Sequence, residues 1–293
     1  MDITHGRLAG MAAASVLLLT GAQCGPVSEP ERFLSGTVNI AGKEDQPGFN
    51  LETNYKRSGF EVELARYLGD AMGFGPQWIN VPSKEREQAV KSGRSKLVIA
   101  TYSITEERLG HLDMVGPYLI THQGFLVRKD YSGISKRDDV DGSKEICTVE
   151  GSTAEAVKLP KGAVFYTEPD YSTCVDDVRN READAVFTDL VLLHGYAERY
   201  SDVKVLGDVT FGRPNRYGIG IAKGHRKECE ELKKALREFI KEKWSTHFGD
   251  KFPKILDEYP GTWENRFKPD PAELDQYSTC TDEAPRETSA SAR

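Results

Sequence analysis

The chain is short of positive charge, of closely spaced cysteines and of long apolar runs, and each shortage removes a class of function. Its 39 Lys and Arg are outnumbered by 46 Asp and Glu, for a formal net charge of −7. With no basic face visible, nucleic acid is not expected as a partner. Five cysteines occur in 293 residues, at positions 24, 147, 174, 229 and 280. None are spaced as CxxC, so a redox or zinc site has little support. Six histidines (His5, His111, His122, His194, His225 and His247) are scattered without metal-ligand spacing. No metal and no cofactor are expected. No apolar run reaches the roughly 18–20 residues that a membrane-spanning helix needs.

The longest apolar run, Leu8 to Leu19, has signal-peptide length, and the small residues Thr20-Gly21-Ala22 follow it. Export is the expectation, with residues 1–24 as the signal and 25–35 as a linker. Leu19 to Cys24 also resembles a bacterial lipoprotein signal, in which Cys24 would carry a lipid and tether the protein to the cell membrane. It departs from that pattern in having Gln23 where a small residue is usual, and cleavage after Ala22 is the alternative. Without Cys24, four cysteines remain for an oxidising compartment. The sequence-local pairing joins Cys147 to Cys174 and Cys229 to Cys280. The first would close a loop worth roughly 3 kcal/mol in the chain-entropy model. The other two connectivities stay open.

From residue 36 strands and helices alternate, which predicts an α/β fold with a mostly parallel sheet. Val38–Ile40 and Trp78–Val81 read as strands. Between them a helix follows Gly59, with Leu64, Ala65, Leu68, Ala71 and Met72 at helical spacing and Glu61 and Glu63 near its positive end. A second series has strands at Ile146–Val149, Val164–Tyr166 and Ala185–Phe187. Helices are expected from Gly151-Ser152-Thr153 to Leu159, over Tyr171–Arg181, and from Asp189 to Tyr200. Tyr217–Ala222 is a further strand, and a long helix after Gly224 buries Leu232, Leu236, Phe239 and Ile240. Residues 264–293 read as a polar tail.

The most informative stretch is Leu97 to Tyr118. An apolar strand, Leu97–Ala100, passes through Thr101-Tyr102-Ser103 to Thr105, a helix cap with Arg108 in the turn behind it. Exposed amides, a helix N-terminus and a guanidinium together suit a carboxylate. In open α/β sheets ligands sit at the carboxyl ends of strands. The turns at Thr101–Ser103, Gly151–Thr153 and Thr188-Asp189 all lie there, so two α/β units facing one another would enclose a cleft between them.

In series, these motifs resemble the extracellular solute-binding proteins of polar amino-acid ABC transporters (bacterial family 3), especially the glutamate-binding proteins of actinobacteria. The resemblance rests on Asp45–Phe49, Ser58–Ala65, ATYSITEER (Ala100 to Arg108) and Gly116–Tyr118. Cys147–Ser152, Tyr171–Cys174, Ala183–Val186 with Thr188-Asp189, and Tyr217–Gly220 continue it. It implies a two-lobed, periplasmic-binding-protein-like (type II) fold. Lobe one would be discontinuous, residues 36–123 and 217–263, and lobe two would be 124–216. Two crossover strands, near Phe125–Val127 and Gly218–Gly220, would be the hinge. Ligand would bridge the lobes, and the closed form would meet membrane permease subunits as a monomer.

By the same resemblance, Arg108 and the Ser103 amide would hold an amino acid's α-carboxylate. Thr101 and Asp189 would take its ammonium, and Gly151, Ser152 and Thr153 would add amides and hydroxyls. Phe49 would pack over the ligand. A second carboxylate, as in glutamate, needs a further cation, for which Lys43 and Arg86 are the candidates. No catalytic residue is expected. Two rival functions share the fold: a sensor signalling to a membrane receptor or kinase, and a dehydratase, for which Glu150 is the one suggestive general acid.

Overall fold

A computed structural model of the chain describes residues 1–2 and 32–282. The expected signal from residue 3 on, with Cys24, most of the linker and residues 283–293 lie outside the described residues. Everything below concerns the unit that starts at Arg32. Among the described residues no helix is long and apolar enough to cross a membrane.

Among the described residues eleven strands form two sheets. In chain order they are β1 (Gly36–Gly42), β2 (Asp45–Gln46), β3 (Asn50–Thr53), β4 (Lys56–Ser58), β5 (Phe74–Asn80), β6 (Leu97–Val98), β7 (Asp113–Arg128), β8 (Ile146–Val149), β9 (Phe165–Glu168), β10 (Ala185–Asp189) and β11 (Val203–Ile221). The large sheet runs β5-β1-β6-β11-β7-β10-β8-β9, and β2-β3-β4 make a small antiparallel sheet beside it. Two parallel trios, β5-β1-β6 and β10-β8-β9, are therefore joined through one antiparallel pair, β7 with β11. This is the two-lobed arrangement: each trio is half of the molecule, and the paired strands run through both.

Those crossing strands are longer than the sequence pattern shows. β11 begins at Val203 rather than at Tyr217, and its pairing with β7 slips between Leu206 and Phe211, again to Asn215, and once more between Tyr217 and Ile219. Gly207, Gly212 and Pro214 interrupt the apolar alternation there, so periodicity fades where the strand bends. The two hinge segments read from the sequence do not face each other. Phe125 lies opposite Leu206, and Gly220 opposite Met114.

Helices α1 (Phe60–Met72), α2 (Arg86–Lys91) and α3 (Glu106–His111) accompany the first trio, and α4 (Tyr171–Asn180) and α5 (Leu190–Arg199) the second. Helix α1 starts where it does because Gly59, at φ 138°, brings the chain against Phe49, with a Cβ there only 2.0 Å from the Phe49 carbonyl oxygen. That approach lets Phe60 and Glu61 donate their N–H groups to Gly48 and Phe49, filling donors that a helix N-terminus leaves open. The helix expected from Gly151 to Leu159 does not form; residues 151–156 are turns. Glu155 accepts the Gly151 N–H at 2.7 Å and Ser152 the Glu155 N–H, and such side-chain bonds compete with helix formation.

The other difference is at the C-terminal end. After α6 (Arg226–Glu242), α7 (Trp244–Lys251) and α8 (Pro253–Glu258) the chain continues through α9 (Trp263–Phe267) and α10 (Glu273–Tyr277). The part of the expected polar tail up to residue 282 is thus a packed strap. Phe267 and Leu274 are buried in the main core. Beyond α10, Thr279 donates to the Met114 carbonyl and Thr281 to the Asp113 carboxylate. Cys280 is bonded to Cys229 and Cys147 to Cys174, the sequence-local pairing. Closing the 51-residue separation between Cys229 and Cys280 constrains the unfolded chain by about 4 kcal/mol in the loop-entropy model. Replacing both by serine is expected to lower the denaturation midpoint accordingly and to open the strap to limited proteolysis before the rest of the chain. An unchanged digestion pattern would show that the strap holds without the bond.

Candidate ligand-binding site

The turn after β6 carries the first half of the site. Thr101 is held at φ +45°, a left-handed conformation uncommon for a β-branched residue and most often found at functional sites. What holds it is Glu61, in the first turn of α1. Its Oε1 accepts the Thr101 N–H at 2.6 Å and the Tyr118 hydroxyl at 2.5 Å. Glu61 is fully buried, and burial pushes its carboxyl up to about 7 against the opposing pull of those two donors. From sequence alone Glu61 was only a helix-dipole acid; nothing local in the pattern showed that it reaches a turn 40 residues away. The Thr105 hydroxyl caps α3 by accepting the Arg108 N–H.

Arg108 and Arg86 sit together. Arg108 lies 4.4 Å and Arg86 5.0 Å from the Tyr102 ring centroid, and neither is more than 7% exposed. Arg108 donates from Nη1 to the Ser103 carbonyl at 2.9 Å and from Nη2 to the Gly151 carbonyl at 3.3 Å. Arg86 donates to the carbonyls of Ser83, Ala100 and Gly151, the last at 3.1 Å. Burial and the neighbouring Arg86 charge pull the Arg108 guanidinium down to about 10. Glu87 offsets part of the excess, 3.4 Å from Arg108 Nε while accepting the Tyr102 hydroxyl at 2.7 Å. Both arginines thus reach the same carbonyl of the opposite half. Gly151, at φ +73°, permits the approach, since a Cβ there would stand 2.6 Å from Lys84 Cα.

The second half supplies a carboxylate. Asp189, at the end of β10, accepts the Tyr217 hydroxyl at 2.7 Å and Asn215 Nδ2 at 2.6 Å. Asn215 also donates to the Thr153 hydroxyl. Burial raises Asp189 to about 6, opposed by these two bonds and then by Arg108 and Arg86. Its side chain does not cap α5, which leaves it for the cleft.

Arg108, Ser103, Thr101, Arg86, Ser152, Thr153 and Asp189 line one enclosed cavity, completed by Ser83, Tyr171, Thr188 and Leu192. Its volume is about 10 Å³, room for about one water. As it stands, it is too small for an amino acid. Outside it, a groove of about 830 Å³ shares Arg108, Ser152 and Thr153 with the cavity. Gly151 bounds the site through its carbonyl and lines the groove.

Two expected residues are elsewhere. Phe49 is fully buried against Tyr217 and Phe252, with ring centroids 5.8 and 5.1 Å away. It is a core aromatic beneath the site and does not line the cavity. Lys43 is also absent from the lining; its Nζ donates to the Val81 carbonyl, and burial pulls it down to about 7. Near it Asp45 accepts the Ser172 N–H and the Tyr196 hydroxyl, another bond between the halves. Glu150, the one carboxylate that suggested an enzyme, is half-exposed, 2.7 Å from Lys84 Nζ, and lines neither cavity nor groove.

The fold and this cleft define a two-lobed solute-binding protein. Residues 38–254 match the model of the bacterial extracellular solute-binding proteins, family 3, and the chain belongs to that family. It is 34% identical over 249 residues to the glutamate-binding protein GluB of Corynebacterium glutamicum, covering 79% of this chain and 84% of that one. Among solved structures it is similar to an ancestral arginine-binding protein bound to glutamine, at 27% identity and a TM-score of 0.68 over 74% of this chain and 98% of that one. It is also similar to the ancestral amino-acid-binding protein AncCDT-1, a precursor of cyclohexadienyl dehydratase, at 25% identity and a TM-score of 0.68, covering 74% and 96%.

Replacing Glu61 by alanine leaves the Thr101 N–H and the Tyr118 hydroxyl buried without an acceptor. The expected loss is about 2–4 kcal/mol in urea denaturation. A loss below about 0.5 kcal/mol, the range of inert surface changes, would mean that the carboxylate does not hold the turn.

Proposed function

We propose that this protein is the exported binding component of an ABC importer for amino acids, with glutamate as the first-choice ligand and aspartate or glutamine next. One observation carries the reading. A guanidinium, Arg108, and a carboxylate, Asp189, from opposite halves line the same small, hydroxyl-rich cavity, which is complementary to the two charges of an amino-acid zwitterion. Arg108 with the Ser103 amide takes the α-carboxylate, and Asp189 with the Thr101 carbonyl or hydroxyl takes the ammonium. Thr153 and Ser152 add hydrogen bonds from the other half. Arg86, the second buried cation, is the partner for a distal carboxylate, and GluB, named for binding glutamate, supports that choice. Binding closes the halves about the crossing strands, and a closed monomer is what the permease subunits would recognise. We assign lobe one to residues 36–123 and 217–263 and lobe two to 124–216. On this reading the protein works outside the membrane, secreted or tethered through Cys24.

Titration calorimetry with glutamate, aspartate, glutamine and asparagine is the direct test, and failure to bind any of the four would end the proposal. Arg108→Ala is expected to weaken binding about 10- to 100-fold, as for loss of a charge-assisted bond. An affinity within about twofold of the parent would remove Arg108 from the site.

The raised Asp189 carboxyl gives the binding a pH dependence of definite sign. The ammonium needs the ionised form, so affinity is full well above pH 6 and falls as pH drops through about 6. Near pH 5 the loss is about tenfold, one pH unit below the midpoint. Glu61 titrates nearby, at about 7, so the slope that survives in Asp189→Asn reports Glu61 and the difference reports Asp189. Equal slopes in parent and variant would contradict the ammonium role.

A further inference from the structure

With Arg108 and Ser103 given to the α-carboxylate and Asp189 to the ammonium, the cavity wall still has Ser83, Arg86, Tyr171, Thr188 and Leu192 to meet a side chain. Among these Tyr171 stands out. It lines the cavity and is only 4% exposed, yet its hydroxyl is buried without a hydrogen-bond partner. The hydroxyls of Ser152, Thr188 and Thr148 lie close enough to favour a phenolate, but none meets it in hydrogen-bonding geometry. An orphaned hydroxyl in a packed interior costs free energy, and native structures rarely keep one without a use.

We propose that Tyr171 is a specificity-determining residue whose hydroxyl donates to the distal oxygen of the ligand's side chain, beside Arg86. The proposal rests on the amino-acid-binding reading above. Burial pushes the phenol up, so it stays a donor at physiological pH. Its placement is rigid. Tyr171 is the first residue of α4, whose cap Asp170 accepts the Thr173 N–H at 2.8 Å. One turn on, Cys174 is bonded to Cys147 of β8. On the opposite half Asp45 takes the N–H of Ser172. The disulfide therefore does more than stabilise: it fixes the turn that presents this hydroxyl. A donor of this kind favours a side-chain carboxylate or amide oxygen and gains nothing from an aliphatic chain, so it sets a preference for glutamate or glutamine over an apolar residue of equal length.

The test is calorimetry and thermal melting of the parent and Tyr171→Phe, which keeps the ring. Glutamate is expected to bind the variant about tenfold or more weakly, with the melting temperature of the unliganded protein unchanged or raised. Norvaline, of equal chain length without the distal oxygens, is expected to displace nothing from either protein or to bind both equally. If the parent binds none of these amino acids, the functional reading falls. If the parent binds glutamate and the variant binds it within about twofold, only the role of Tyr171 falls. A variant that fails to fold or melts several degrees lower also overturns the proposal, because the hydroxyl would then be bonded within the protein. So does a variant that loses norvaline as strongly as glutamate.

Discussion

Two guanidinium groups buried beside one tyrosine ring are the constraint that the rest of the cleft answers to. Removing like charges from water into one small volume costs several kcal/mol per ion, and here the direct compensation is modest. Main-chain carbonyls accept five hydrogen bonds from the two groups, Glu87 approaches Arg108, and the Tyr102 ring contributes cation–π attraction. Each of those partners has to be delivered by a separate piece of backbone. The Ser103 and Ala100 carbonyls require the left-handed turn at Thr101, which in turn requires Glu61. The Gly151 carbonyl requires the other half to close to within backbone contact, which requires a glycine. A region this positive, walled by hydroxyls, gains most from a ligand that brings negative charge of its own.

The sheet explains how such distant pieces meet. β7 and β11 are each shared by both halves, so a single antiparallel pair joins the two trios of strands, each with its own hydrogen-bonded ladder. Tyr217 and Asn215 on β11 donate to Asp189 at the end of β10. Asp189 is thereby tied to the strand whose register slips. The strap adds a constraint at the far end: Thr279 and Thr281 bind the start of β7, and Cys280 locks them to α6. The crossing strand is thus anchored at its start, while nearer its middle register slips interrupt the ladder.

Much of this was legible in the residues. Thr105 as a cap, Arg108 behind it, the strand leading into Thr101–Ser103 and Asp189 at a strand end all follow from local rules of capping and periodicity, and local rules survive folding. The misreadings have a common origin in contacts far apart in sequence. The resemblance puts Phe49 over the ligand; Tyr217 and Phe252, some 170 and 200 residues on, enclose it instead. Lys43 looked like a free cation beside the cleft, and the Val81 carbonyl takes it. Residues 151–159 carried small and capping residues before an apolar one, yet Glu155 satisfied the backbone with its side chain first. The polar strap hid its anchors because Phe267 and Leu274 are isolated in sequence and join the core only through packing on other elements, Phe267 against Phe248 and Tyr259.

What chooses the side chain was the least legible part, and the geometry shows why. The groups we propose for the α-carboxylate and the ammonium lie on the stretch from Thr101 to Arg108 and at the end of β10, each readable as a motif. The distal wall is assembled from single residues on four segments: Ser83 and Arg86 around the start of α2, Tyr171 at the start of α4, Thr188 on β10 and Leu192 on α5. Arg86, Tyr171 and Thr188 each fall in or beside a stretch that the sequence marks, but nothing in the sequence brings them together, and each also has a local place in a helix or a strand. Main-chain recognition is common to every amino acid and so can be built once from contiguous motifs. Side-chain recognition has to be revised one residue at a time on a scaffold that stays fixed, and on the proposed reading a wall drawn from four separate segments would allow that without disturbing the grip on the zwitterion.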